Sequence, residues 1–118
     1  MSFYKNVKNA SKFIKDHIRK TNLDYSEYFS TLSSNEVYFK LENTQITGSF
    51  KIRGAFNKLL SLPQIEREKG IITASTGNHG LAVAYASSKL NIPCKIYVPN
   101  IASKIKVNKI KKLGSRVI

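Results

Sequence analysis

The second half of the chain alternates between two hydrophobic patterns. Short apolar runs predict strands over residues 70–74, 94–98 and from 117 onward. A helical repeat predicts helices between them, over residues 78–90 and 103–113. Strands that alternate with helices of about ten residues are typical of a parallel, right-handed α/β sheet. Ligand sites in such sheets lie at the carboxyl ends of the strands, so the turn over residues 75–80 is a candidate site.

The first half has a less regular pattern. Apolar residues predict an amphipathic helix with a basic outer side over residues 6–20, whose edge carries a structural His17. Residues 21–35 are rich in Ser, Thr, Asn and Tyr and are predicted to be irregular. An alternating run then predicts a strand that ends near Glu42, and a loop with Pro63 and a polar stretch precedes residue 70.

Lys51 lies where a helix is predicted to begin. Gly48 and Ser49 indicate a turn and a helix start, and apolar residues then recur at helical spacing at Ile52, Ala55, Phe56, Leu59 and Leu60. Lys51 falls outside that stripe, in the first helical turn, where the helix dipole disfavours a cation. Such a lysine is either simply solvated or serves chemically, because lysine amines form Schiff bases with carbonyl compounds.

A second stretch, A-S-T-G-N-H-G at residues 74–80, connects a predicted strand to an alanine-rich helix. Backbone N–H groups, two hydroxyls, an amide and an imidazole at a helix N-terminus favour a carboxylate or another anion. The alternative interpretation is an Asn or Ser helix cap followed by a tight glycine turn.

Together the two stretches resemble the fold-type II pyridoxal-phosphate enzymes, a group with the tryptophan-synthase-β-like parallel α/β architecture. In the family motif S-F-K-x-R-G-A the lysine bonds covalently to the cofactor, which implies that role for Lys51, with Phe50 beside it. The asparagine of the S-x-G-N-H turn binds the cofactor's 3-hydroxyl, which implies Asn78. The resemblance further implies that the substrate carboxylate is held by the whole turn: Ser75, Thr76, Gly77, Asn78 and His79.

Phe50 and the Arg53-Gly54-Ala55 run resemble the branch of threonine and serine dehydratases and serine racemase. The resemblance implies a lyase that uses pyridoxal 5'-phosphate to convert threonine or serine to a 2-oxo acid and ammonia. Thr76 stands where racemases of this branch usually carry serine, which disfavours racemase activity and leaves it as an alternative. No motif in the sequence distinguishes threonine from serine.

At 118 residues the chain is much shorter than members of that family. The family's glycine-rich phosphate loop would lie beyond residue 118, so we expect an incomplete fold and no activity from these residues alone. The resemblance implies that residues 1–67 belong to the large, cofactor domain and residues 68–118 to the first strand-helix units of the small domain. It also implies a homo-oligomer in the full-length form. The short sequence fits a split gene, a deliberately shortened chain or a truncated gene product.

The net charge of +13 raises the possibility of nucleic-acid binding. Sixteen of the 20 basic residues are lysines spread along the chain, and no nucleic-acid motif or aligned stacking aromatics accompany the densest group, at residues 104–112. We therefore expect no nucleic-acid partner. A nucleic-acid binder and a non-catalytic remnant of the enzyme remain the competing hypotheses.

The remaining composition indicates the cellular compartment and excludes a metal cluster. Cys94 is the single cysteine and lies in a predicted strand, so it is expected to be a buried thiol, and one Cys with two His cannot form a metal cluster. The N-terminus has no apolar signal segment, and no apolar run is long enough to span a membrane. A soluble cytoplasmic protein is the default expectation.

Overall fold

The computed structural model describes residues 2–75 and 77–118. Its helices are α1 (Phe3–Ile14), α2 (Glu27–Ser33), α3 (Lys51–Ser61), α4 (Gln64–Glu68), α5 (Asn78–Lys89) and α6 (Lys104–Lys112). Its strands are β1 (Leu23–Tyr25), β2 (Tyr38–Lys40), β3 (Ile71–Ala74), β4 (Cys94–Tyr97) and β5 (Arg116–Val117).

The strands β3, β4 and β5 form a parallel sheet in that order, which confirms the predicted α/β arrangement. Ile71 pairs with Cys94 and Lys95 pairs with Arg116, so the strands begin at the same edge. The Ser75 N–H donates to the Tyr97 carbonyl at 3.1 Å and continues the ladder to the carboxyl end of β3. The turn that follows β3 is therefore at the edge where the sequence predicted a site.

The core lies between the helices and this sheet. The predicted stripe of α3 is confirmed, since Ile52 and Phe56 are fully buried against α5 and Leu60 lies at the edge of the core. The α5 helix contributes mainly alanines, which lets α3 approach closely. The buried hydrophobic residues are Ile14, Ile52, Ala55, Phe56, Leu59, Ala82, Val83, Ala84, Ala86, Ile92, Cys94, Ile96 and Ile110.

The prediction that residues 21–35 are irregular is wrong. This segment contains β1, which pairs antiparallel with β2 in the register Tyr25 to Tyr38, and the helix α2. Ser26 caps α2, because its Oγ accepts the Phe29 N–H at 3.4 Å. The alternating run before Glu42 correctly predicted β2, which ends at Lys40, whereas β1 has three exposed residues and no alternation that would predict it.

The first helix is shifted from its predicted bounds of 6–20. It begins at Phe3, where Ser2 caps it, and ends at Ile14. Tertiary contacts take the following residues out of the helix. His17 stacks on Phe56 at 4.8 Å between ring centroids, which supports its structural interpretation, and the Arg19 backbone bonds to the Gln45 side chain.

Two local predictions need smaller corrections. The polar stretch after Pro63 contains the short helix α4, begun by N–H groups of Glu66 and Arg67 that donate to the Pro63 carbonyl. The helix α3 begins at Lys51 with Phe50 as its N-cap residue, so the start is later than Gly48-Ser49. At α6, Ser103 occupies the N-cap position without a side-chain cap bond.

The assignment of residues 1–67 and 68–118 to two domains stays a prediction.

Among the described residues, no helix combines the length and the apolarity that crossing a membrane requires.

Candidate functional site

Lys51 is the first residue of α3, as predicted, and its side chain is exposed. Its Nζ lies 4.8 Å from the centroid of the Phe50 ring, which is itself 58% exposed. A cation over an aromatic face gains a modest attraction that offsets the unfavourable helix dipole. The amine is therefore accessible to a dissolved carbonyl compound, and an aromatic surface lies beside it.

The turn between β3 and α5 is organised by Ser75. Its Oγ accepts the backbone N–H of Gly77 at 3.2 Å and of Gly80 at 3.0 Å. Glycine is favoured at position 80, because a Cβ would lie 3.1 Å from the Ser75 carbonyl oxygen, a tight contact that would require a small shift of the turn. The Ser75 oxygen thus performs the capping role of the alternative interpretation, while the hydroxyl hydrogen remains able to donate to a ligand.

Asn78 and His79 are the first two residues of the 12-residue helix α5, and both are exposed. Within residues 2–75 and 77–118, their backbone N–H groups donate to no partner. Free N–H groups at a helix N-terminus are a general anion-binding feature. Thr76, also predicted to bind substrate, lies outside the described residues.

The two sequence motifs meet in one open cleft of about 610 Å³ between α3 and β3. Phe50 and Lys51 line one side, and His79 lines the other, where its Nε2 lies 3.2 Å from the Thr73 hydroxyl. Two lysines and no carboxylate line the described part of this cleft, which favours an anionic ligand. The structure thus brings together three of the predicted site residues, which are 29 positions apart at most.

The other predicted site residues that the structure describes do not line the cleft. Ser75 and Gly77 lie within the turn, and Asn78 begins α5 with its side chain exposed. Residues that sequence reasoning did not assign also line the cleft, among them Gly54, Lys58 and Thr73. The helical spacing from Lys51 to Gly54 and Lys58 was the signal that places them on one face.

A network of charged and polar groups supports the N-terminal end of α3. Arg53 donates from Nε to Glu42 Oε2 at 2.9 Å and from Nη2 to Oε1 at 2.7 Å, and the Thr21 hydroxyl donates to Oε1 at 2.6 Å. The Arg53 hydrogen bonds lower the pKa of Glu42 to about 2, with further contributions from Thr21 and Lys40, against the opposing effect of burial. The same contact with Glu42 raises the pKa of Arg53.

This network fixes the segment that leads into Lys51. Gln45, 3% exposed, accepts the Arg19 N–H and donates to the Arg19 carbonyl, both at 2.9 Å. Segments 19–21 and 42–45 are thereby tied together, and Arg53 attaches them to α3 two residues after Lys51. Sequence reasoning missed Glu42, because it assigned the polar residues before Gly48 only to the end of a strand.

Comparison with protein families matches residues 14–118 to a family described as "Pyridoxal-phosphate dependent enzyme". The chain is 43% identical over 112 residues to the L-threonine ammonia-lyase of Thermotoga maritima, an alignment that covers 95% of this chain and 28% of that protein. It is also 43% identical over 113 residues to the serine racemase of Dictyostelium discoideum, covering 96% and 35%. The chain thus spans about a third of the length of these relatives.

Solved structures show the same similarity in three dimensions. The crystal structure of the Dictyostelium discoideum serine racemase superposes with a TM-score of 0.91, over 96% of this chain and 37% of that one. The processed form of threonine deaminase isoform 2 from Solanum lycopersicum superposes with a TM-score of 0.86 at 34% identity, over 98% and 32%. The predicted fold-type II architecture, present here in part, is confirmed.

Proposed function

The chain belongs to the pyridoxal-phosphate-dependent enzyme family, and we propose that it is the N-terminal part of an ammonia-lyase acting on threonine or serine. One observation carries the proposal: an accessible amine, Lys51, shares with the imidazole of His79 a cleft whose described lining contains no carboxylate. The named threonine ammonia-lyase and threonine deaminase relatives support the choice of reaction.

The family's cofactor is pyridoxal 5'-phosphate, and the residues of the cleft fit one end of it. Lys51 offers the amine that bonds to its aldehyde, and the exposed Phe50 ring offers a surface for stacking. Asn78, at the adjoining helix start, is the proposed partner of its 3-hydroxyl. The described residues offer no glycine-rich cradle for its phosphate, since the glycines with positive φ, Gly48, Gly70 and Gly114, lie in three separate loops.

The chemistry that the cofactor supplies when bound is an electron sink for the charge left by removal of the substrate's α-proton. Lys51 would hold the cofactor through its amine, and the same amine is the proposed base for that proton. Lys51 is exposed and lines the cleft, so its amine can reach a substrate bound there.

The turn after β3 is the proposed carboxylate site. The Ser75 hydroxyl hydrogen and the N–H groups of Asn78 and His79 are donors at the N-terminus of α5. Holding the carboxylate there would orient the α-proton toward Lys51. Thr76 and Gly77 complete the proposed site from the motif. Loss of the β-hydroxyl as water, followed by hydrolysis, would give 2-oxobutanoate from threonine or pyruvate from serine, with ammonia.

Serine racemase activity is a second candidate, favoured by the 0.91 TM-score to a serine racemase. The two activities differ in product, so a chiral assay for D-serine beside an assay for pyruvate separates them. The homo-oligomeric state and the cytoplasmic location stay predictions that belong to this proposal.

The test is reductive labelling of the 118-residue chain. Pyridoxal phosphate and borohydride should place the mass tag preferentially on Lys51, as located by peptide mass spectrometry, because among the described lysines this amine alone lies both in the cleft and over the Phe50 ring. Lys51→Ala should abolish the preferred tag. Lys58→Ala is the matched control, since it removes another amine from the same cleft, and it should leave the Lys51 tag in place.

Scattered labelling that Lys51→Ala does not change would refute cofactor binding by this chain and support the non-catalytic remnant. Activity is expected only when the chain is combined with a polypeptide that covers the remaining two thirds of the relatives. Absence of keto acid from both threonine and serine in that combination, with the partner shown to bind, would refute the ammonia-lyase proposal.

A further inference from the structure

Gly54 lies inside α3, three residues after Lys51, and its helical backbone does not require glycine. Glycine in a helix interior costs stability relative to alanine, because it loses more conformational freedom on folding. A glycine kept at such a position calls for another physical reason.

Packing within the described residues does not supply that reason. A Cβ at Gly54 would meet no heavy atom within 4 Å. Elsewhere the same chain uses glycine for close approach: a Cβ at Gly70 would lie 2.9 Å from the Pro93 carbonyl oxygen, and one at Gly80 would lie 3.1 Å from that of Ser75. Gly54 differs from these two because the space above it is open.

That open space belongs to the cleft that holds Lys51. Residues three apart share a helix face, so Gly54 follows Lys51 on the wall of the cleft and Lys58 continues it one turn later. Between the two lysines the helix presents the bare backbone of Gly54 to the cleft, which Ile72 and His79 also line. A side chain at position 54 would project into the volume next to the reactive amine.

We propose that Gly54 is a size determinant of the cleft: it keeps this face of α3 bare so that a planar aromatic aldehyde bonded to Lys51 can lie against the helix. The inference rests on the proposed function, in which Lys51 binds pyridoxal phosphate. The proposal adds that Gly54, one turn along the same helix, sets the room available for the ring. Gly54 does not set the intrinsic reactivity of the Lys51 amine.

The experiment compares a bulky and a small carbonyl reagent on the same amine. Gly54→Leu should lower reductive labelling of Lys51 by pyridoxal phosphate about tenfold, the scale on which a pocket rejects a misfitting group. Reductive methylation of Lys51 by formaldehyde, which needs little space, should stay as in the unsubstituted chain. Asn57→Leu is the matched control, because it adds the same side chain to an exposed position of α3 outside the cleft, and it should change neither reaction.

A second measurement separates room for a ligand from a packing role. Gly54→Ala should leave the thermal unfolding midpoint of the chain unchanged or raise it, because alanine is the better helix former and has free space there. A lower midpoint would show that Gly54 is structural and would overturn the inference. Equal pyridoxal phosphate labelling of Lys51 in Gly54→Leu and the unsubstituted chain would also overturn it, with the proposed function intact. Failure of the unsubstituted chain to label preferentially at Lys51 would instead refute the proposed function itself.

Discussion

Replacing Glu42 by Gln tests whether the ion pair beside the candidate site stabilises the fold. Glu42→Gln keeps the size of the side chain and removes the charge that faces Arg53 across contacts of 2.7 and 2.9 Å. The folded-state pKa of Glu42 is lowered from 4.5 to about 2, chiefly by the Arg53 hydrogen bonds. At about 1.4 kcal/mol for each pH unit, that difference corresponds to at most roughly 3.5 kcal/mol of folding free energy.

The expected loss is smaller than this ceiling. The side chains of Arg53 and Glu42 are 31% and 17% exposed, so water screens the pair. We expect Glu42→Gln to lower the free energy of unfolding at pH 7 by about 1.5–2 kcal/mol, at the lower end of the range for hydrogen bonds to charged groups. Urea unfolding followed by circular dichroism measures this difference. Glu36→Gln is the matched control, since Glu36 is exposed and forms no hydrogen bond or ion pair among the described residues.

The pH dependence gives the sharper result. Because the pKa of Glu42 is lower in the folded chain than in the unfolded chain, its stabilisation is present above pH 4.5 and is lost as the pH falls toward 2. The difference between the unsubstituted chain and Glu42→Gln should therefore shrink over that range. A Glu42→Gln effect no larger than that of Glu36→Gln at pH 7, or one that persists undiminished below pH 2, would refute the assignment of the stabilisation to this pair.

Two further predictions concern the turns around the parallel sheet. Ser75→Ala should lower the free energy of unfolding by about 0.5–2 kcal/mol, because the Gly77 and Gly80 N–H groups lose their acceptor. The control Ser88→Ala, at an exposed position near the other end of α5, should have little effect. Equal losses of stability in the two variants would contradict the capping role of Ser75. Gly70→Ala should cost more than about 1 kcal/mol, since φ is +87° and the new Cβ would lie 2.9 Å from the Pro93 carbonyl oxygen. Gly48→Ala is the control, because Gly48 also has a positive φ but a Cβ there would meet no atom within 4 Å. Thermal unfolding of both variants therefore separates the steric contact from backbone strain. A loss of stability in Gly70→Ala no greater than that in Gly48→Ala would contradict the steric contact with Pro93.

The sequence by itself predicted the parallel half of the molecule well. The apolar runs at β3 and β4 and the helical repeats of α5 and α6 are continuous, local and long enough to define each element without help from distant residues. The two motifs around Lys51 and Asn78 were also evident, because each combines turn residues with reactive side chains within a few positions. Their roles as site residues stay a prediction.

Tertiary structure decided what depends on distant partners. An alternating run predicted β2, but its antiparallel partner β1 has three exposed residues and no hydrophobic pattern, so only the folded chain shows the pairing. His17 leaves the first helix because Phe56, 39 positions later, offers a ring on which to stack. The contact of Arg53 with Glu42 and the open space above Gly54 likewise exist only once the chain is folded. Local sequence specifies which element each segment favours, whereas the cleft arises from the packing of α3 against α5 beside β3, a long-range arrangement that no single segment encodes.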